Sequence, residues 1–192
     1  MNGFGSRLAV TGIAAAIGLA SSLAPTLAQD TIRIGNIVAT AGPLKSAAEP
    51  TVVAVDIAVE EINANGGING KPIEIVRFDT GSDPKQASVG ARKLIQDDEV
   101  LAIGPFSSSE TRVALNDAER FKTLMLPTSS SAPGLAEGKT YLYRLSEDEA
   151  VQFGRLLDTI KKAGFKAETA EIVYISDDVV SNIAGTKLYP AL

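Results

Sequence analysis

From Thr31 onward, short β-branched runs alternate with longer stretches whose apolar residues recur at helical spacing, and no other feature restricts the fold as much. Ile32 to Ala39 reads as a buried strand, followed by Pro72 to Phe78, Val100 to Ile103 and Thr123 to Leu126. A loop holding Gly42, Pro43 and Pro50 precedes the first helical pattern, where Val52, Val53, Val55, Ile57, Ala58 and Ile62 turn inward and Asp56, Glu60 and Glu61 outward. The run Asn63 to Gly70 ends that helix in a turn. Ser82-Asp83-Pro84 is a cap with proline at the first helical position, and its helix continues through Ala87, Val89, Ala91 and Leu94. Glu110 to Phe121 is a third helix.

Beyond a loop from Pro127 to Gly138 the alternation resumes. Tyr141 to Leu145 is a fifth extended piece. Ser146 and Glu149 have capping-box spacing and open a helix to Lys162, with Gly164 as its stop. Glu171 to Ile175 reads as another strand, and a further helix begins at Ser181. Strand–helix repetition of this kind predicts the α/β class, a doubly wound parallel sheet with helices on both faces.

The first residues are set apart from this pattern. Arg7 is the only charged side chain before Asp30, the stretch from Leu8 to Ala20 is apolar, and Thr26 and Ala28 place small residues around Leu27. That is the form of a secretory signal cleaved after Ala28, and the apolar run is short for a membrane span. Residues 1–28 are therefore read as a leader.

Two absences exclude chemistry. Without cysteine, no disulfide forms even after export, so stability comes from packing. Without histidine, there is no Ser-His-Asp or Cys-His nucleophile system and no His-ligated metal site. No cofactor, metal or catalytic residue is expected. The formal net charge of −5 makes nucleic acid an unsuitable partner.

In open parallel sheets, ligands bind beyond the carboxyl ends of the strands. Three loops are placed there: Thr40 to Lys45, Gly104 to Thr111 and Pro127 to Pro133. The second presents Ser107, Ser108 and Ser109 at a helix start, where free N–H groups suit a carboxylate. Ser107 and Glu110 also have capping-box spacing, which accounts for one serine and the acid. The third presents Thr128, Ser129, Ser130 and Ser131, alternatively a simple turn. Two hydroxyl loops ending adjacent strands suit a small polar ligand held by hydrogen bonds. Gly66-Gly67-Ile68-Asn69-Gly70 follows a helix and precedes a strand, the reverse of a nucleotide-binding order.

Four segments carry a resemblance. They are Ile62-Asn63-Ala64-Asn65-Gly66-Gly67-Ile68-Asn69-Gly70-Lys71-Pro72-Ile73, Asp83-Pro84-Lys85-Gln86-Ala87, Ile103-Gly104-Pro105-Phe106-Ser107-Ser108-Ser109 and Ser131-Ala132-Pro133-Gly134-Leu135. In order and spacing they resemble the branched-chain amino acid binding proteins of ABC transporters, the type I periplasmic binding proteins. The resemblance implies that fold: two α/β lobes around a ligand cleft, with residues 29–145 as the first lobe and 146–192 as the start of a second whose remainder is not supplied. It implies that Ser108, Ser129 and Ser131 hold a ligand carboxylate, that Phe106, Ser107 and Ser130 line the same loops, and that Val180 stands where many members place a covering aromatic residue. That difference leaves room for a bulkier or aromatic acid. The function implied is capture of a small polar solute (a branched-chain or other amino acid, an amide or a small carboxylic acid) in the periplasm, by a monomer that docks on an inner-membrane ABC permease. The same fold also serves sensing, in which the bound ligand is presented to a receptor or regulator.

Overall fold

The computed structural model describes residues 31–166, 169, 171–176 and 179–191, and leaves out the side chains of Val179, Val180, Leu188 and Ala191. The expected leader at residues 1–28 lies outside the described residues.

Four parallel strands form one sheet: β1 Ile32–Val38, β2 Ile73–Asp79, β3 Ala102–Pro105 and β4 Leu124–Met125, in the order β2-β1-β3-β4. The helices are α1 Lys45–Ala64, α2 Gln86–Arg92, α3 Ser108–Phe121, α4 Glu149–Lys162 and α5 Val179–Ile183. Single π-helical turns extend α2 and α5. Successive residues of a strand face opposite sides, and both sides of β1 are used. Ile37 joins Ile103, Met125, Leu94, Ala91, Leu115 and Ala118 in the main core beneath α2 and α3. Val38 packs on the other face with Ala48 and Val52 of α1 and with Phe106.

The structure differs from the sequence expectation in several places. Helix α2 starts at Gln86, so Pro84 lies before it and not at its first position, and Ser82 does not cap it. Helix α1 starts at Lys45, so Pro50 lies inside it and not in a preceding loop. Proline forfeits one ladder bond there. The first turns are held nonetheless, because Ala48 is fully buried against Val38 and Phe106. Helix α4 is capped by Asp148, whose Oδ1 accepts the Ala150 N–H at 2.9 Å, and not by Ser146. The Ser146 hydroxyl donates elsewhere, to the Ser130 carbonyl. Finally, Glu171 to Ile175 forms no strand ladder among the described residues, and Val173 and Ile175 are largely exposed. A β-branched run becomes a strand only when a neighbour accepts its hydrogen bonds, and none of the described residues does so here.

The run from Ile62 to Ile73 is a structural device. Gly66 at φ +92° donates to the Asn63 carbonyl and Gly67 donates to that of Ile62, the two bonds of a Schellman motif. The Asn63 amide then clasps the start of β2, donating to the Ile73 carbonyl at 2.8 Å and accepting its N–H at 2.7 Å. Gly164 ends α4 through the same pair of bonds, from Gly164 to Lys161 and from Phe165 to Ile160.

Candidate ligand-binding site

From β1 the chain crosses to β2 on one side, and it later returns to β3 on the other. This switch opens a crevice at the carboxyl ends of the strands. The loops there are cross-tied. The Asp79 carboxylate accepts the Thr40 hydroxyl, the Thr40 N–H at 2.9 Å and the Gly81 N–H at 2.8 Å. The Thr40 hydroxyl first, then the Gly81 N–H, hold its carboxyl below the ordinary value, with a further contribution from the Thr40 N–H against a small opposing effect of burial. Ser82 Oγ donates to the Ala41 carbonyl and accepts the Leu44 N–H. These bonds join the β1 loop to the β2 loop.

Glu110 joins the β2 loop to α3. Its side chain is fully buried. One oxygen accepts the Ser107 N–H and hydroxyl, both at 2.9 Å, and the other accepts the Thr80 hydroxyl at 2.6 Å. Ser107 Oγ in turn accepts the Glu110 N–H, which completes the capping box. The charge also sits at the positive end of the α3 dipole.

The two serine loops end adjacent, hydrogen-bonded strands, β3 and β4. They are bonded to each other as well: Thr128 and Ser129 N–H groups donate to the Pro105 and Phe106 carbonyls, Ala132 N–H donates to Ser108 Oγ at 3.2 Å, and Thr111 Oγ1 lies 2.7 Å from Ser130 Oγ. Those bonds sort the residues singled out from the sequence. Ser107 is occupied by the helix cap. Ser130 is 0% exposed and bonded to Thr111, so its hydroxyl braces the loop from beneath. Phe106 is 7% exposed and anchors its loop in the core beside α1. Ser108 accepts from Ala132 and keeps its own proton to donate. Ser129 is exposed and Ser131 half-buried, and neither side chain has a hydrogen-bond partner among the described residues. Of the residues expected to meet a ligand, Ser108, Ser129 and Ser131 thus keep hydroxyl capacity; the hydroxyls of Ser109 and Thr128 in the same two loops also have no hydrogen-bond partner among the described residues. Val180 lies in α5, but its side chain is outside the described residues.

A cavity of about 270 Å³ beside the β1 loop is lined by Ala39, Thr40, Lys45, Glu49 and Val52. Glu49 was not legible as a lining residue, because Pro50 marked its segment as a loop, and Val52 was read only as the first residue of a helical pattern. The spacing of Lys45, Ala48, Glu49 and Val52 along one helical face was the available signal.

The segment from Tyr141 to Asp148 leads to α4. Leu142 pairs with Met125 in a single parallel bridge. Arg144 donates from Nη1 to the Ala132 carbonyl at 2.7 Å and from Nη2 to Asp148 Oδ2 at 3.0 Å. Burial pushes the Asp148 carboxyl up, but bonds from Arg144, Ala150 N–H and Gly134 N–H, with the Arg144 charge, together outweigh it and leave the carboxyl below its ordinary value.

Asp79 and Asp148 therefore share one sign of pH dependence. A carboxylate whose folded pKa lies below its unfolded value contributes stability that is fully present above the unfolded value, here 3.8, and is lost as pH falls through the lowered folded value. Urea midpoints should drop as the pH is taken from about 5 to about 3, and less steeply in Asp79→Asn and Asp148→Asn. Equal slopes in parent and variants would show that the two groups do not contribute.

Fold and loops together define a doubly wound α/β lobe with hydrogen-bonding loops gathered on its carboxyl edge. The family model for periplasmic binding proteins matches residues 31–189, and the chain belongs to that family. It is 32% identical over 131 residues to the leucine-, isoleucine-, valine-, threonine- and alanine-binding protein of Pseudomonas aeruginosa, a match covering 68% of this chain and 35% of the relative. Among solved structures, the branched-chain amino acid transporter substrate binding protein of Streptococcus pneumoniae, in complex with isoleucine, superposes with a TM-score of 0.61 at 30% identity, over 62% of this chain and 35% of that one. The solute binding protein of an ABC transporter from Rhodopseudomonas palustris, in complex with 3,4-dihydroxybenzoic acid, does so with a TM-score of 0.62 at 26% identity, over 71% and 38%. The chain spans about a third of the length of the relatives it matches.

Proposed function

We propose that this protein captures a small polar solute in the periplasm for an ABC importer. The solute is a branched-chain or other amino acid, an amide or a small carboxylic acid. Residues 29–145 serve as the first lobe and residue 146 begins the second, after export on a leader removed behind Ala28. The observation that carries this function is the pair of serine loops on adjacent strand ends, where the Ser129 and Ser131 hydroxyls have no partner among the described residues and Ser108 has a proton to donate. Hydroxyls and free N–H groups of this kind suit a carboxylate. The solutes held by the two solved neighbours, isoleucine and 3,4-dihydroxybenzoic acid, both carry one. The ABC permease of the inner membrane is the partner that receives the solute, and no step of bond chemistry is assigned to any residue.

Titration calorimetry of the mature protein with L-isoleucine, L-leucine and 3,4-dihydroxybenzoic acid tests the capture reading. Heat of binding from at least one is expected. Ser131→Ala should weaken that binding by about 1–3 kcal/mol, which is at least about fivefold, because it leaves a desolvated ligand oxygen without its donor. Saturable binding with unchanged affinity in both Ser108→Ala and Ser131→Ala would remove these residues from the site. No heat with any probe would count against capture of these solutes. An intact mass from the periplasm that lacks residues 1–28 is the result expected for the leader.

A further inference from the structure

Helix α4 has no buried residue, so apolar packing does not fix it on the four-stranded lobe. Its first turn is held to that lobe by hydrogen bonds, and nearly all of them end on one loop. Three successive carbonyls of the second serine loop accept from the connecting segment: Ser130 from Ser146 Oγ at 2.5 Å, Ser131 from the Glu149 N–H at 2.9 Å and Ala132 from Arg144 Nη1 at 2.7 Å. The Gly134 N–H meets Asp148 Oδ2 at 3.1 Å, the same oxygen that takes Arg144 Nη2. On its other side the loop is bonded to α3 through Ser108 and Thr111.

Capping α4 needs only the Asp148 bond to Ala150. The remaining bonds serve the loop. Arg144 is central because its side chain is only 11% exposed and its planar fork spans two different partners, a loop carbonyl and the helix cap. A lysine, with one compact ammonium, does not reproduce that span.

We infer that Arg144 is a positioning residue that fastens the 130–134 loop to the first turn of α4, so that the loop offering Ser129 and Ser131 to a solute and the helix opening the second lobe move as one body. This rests on the capture function proposed above. Solute held by the loop then favours one orientation of α4, and any change in that orientation is felt at the loop, since both belong to the same equilibrium.

Amide hydrogen exchange followed by NMR on the solute-free mature chain tests the linkage, and its outcome does not depend on which solute, if any, is captured. In Arg144→Gln, the amides of Ala132, Gly134, Glu149 and Ala150 should exchange faster by a common factor of about tenfold, as a single opening unit does. The amides of Phe106 and Leu126, bonded to the Ile37 and Ile103 carbonyls, should keep their rates. Arg144→Lys should not restore the four. Ser146→Ala removes one bond of the set and should accelerate the same four amides by a smaller common factor, which decides the matter if Arg144→Gln unfolds the whole chain. Faster exchange at Gly134 and Ala150 with Ala132 and Glu149 still protected, full restoration by lysine, or no joint movement in Ser146→Ala would each overturn the assignment.

Discussion

Glu110→Ala should destabilise the protein by about 2–4 kcal/mol, from a lost helix cap of about 1 kcal/mol and buried donors left unpaired at about 1–3 kcal/mol. The side chain is completely buried and receives three hydrogen bonds from two loops. Truncation strands the Ser107 N–H at the head of α3 and the hydroxyl of Thr80, which is itself buried. The carboxylate also carries the contact that ties the β2 loop to α3, so the loss should spread to the ordering of the serine loop that follows β3. Glu110→Gln should recover only part of the loss. Its amide has one acceptor oxygen where the native carboxylate accepts on both: with the NH₂ group turned to Thr80, that hydroxyl can accept the bond, but its own proton loses the acceptor it now has. Urea unfolding at neutral pH, with the slope of the transition unchanged, is the measurement. An alanine variant within about 0.5 kcal/mol of the parent would mean that the cross-tie carries little, as for an ordinary surface position.

A comparison of two neighbouring glycines should give the second large effect. Gly66 and Gly67 both have positive φ, so alanine at either position meets the left-handed penalty of about 1–2 kcal/mol. They differ in surroundings. A β-carbon on Gly66 meets nothing within 4 Å, whereas one on Gly67 lies 2.1 Å from the Lys71 carbonyl oxygen and 2.5 Å from its carbon. That obstacle is backbone and cannot turn aside as a side chain does. It belongs to the bridge between Ile68 and Lys71 that leads into β2. Gly67→Ala should therefore cost about 1–2 kcal/mol more than Gly66→Ala, as strain added at an over-determined turn. Thermal unfolding of the two variants side by side measures the difference. Equal costs would show that the turn relaxes and that the close approach is not a constraint.

Much of the fold was legible because its signals are local. The β-branched runs and the helical spacing of Val52 to Ile62 are read within a few residues, and so are the Ser107–Glu110 box and the glycines after α1 and α4. Apart from the run at Glu171 to Ile175, each of these formed its expected element, although Val53, Ile57 and Ile62 of α1 are exposed and do not turn inward. The parallel sheet followed, since strands joined through helices must run in one direction. Where a local signal failed, a more distant contact had prevailed. Pro50 marked a loop, but Ala48 packed under Val38 and Phe106 carried the helix through it. Ser146 had the spacing of a cap, but its hydroxyl went to the Ser130 carbonyl and left the cap to Asp148. The run from Glu171 to Ile175 had the composition of a strand but no neighbour among the described residues to complete it.

The candidate site divides in the same way. By itself, the sequence determined the α/β class, the absence of histidine and cysteine chemistry, and the placing of two hydroxyl-rich loops at strand ends, because composition and short-range periodicity suffice for these. Tertiary structure alone decided which hydroxyls are free. Ser129, Ser130 and Ser131 are indistinguishable as letters. Ser130 is buried and bonded to Thr111, nineteen residues earlier, while its two neighbours have no side-chain partner among the described residues. It also decided that Arg144 bonds the loop's Ala132 carbonyl and the α4 cap at once. The physical reason is that a hydrogen-bond partner distant along the chain is set by strand order and packing, and no local preference encodes it.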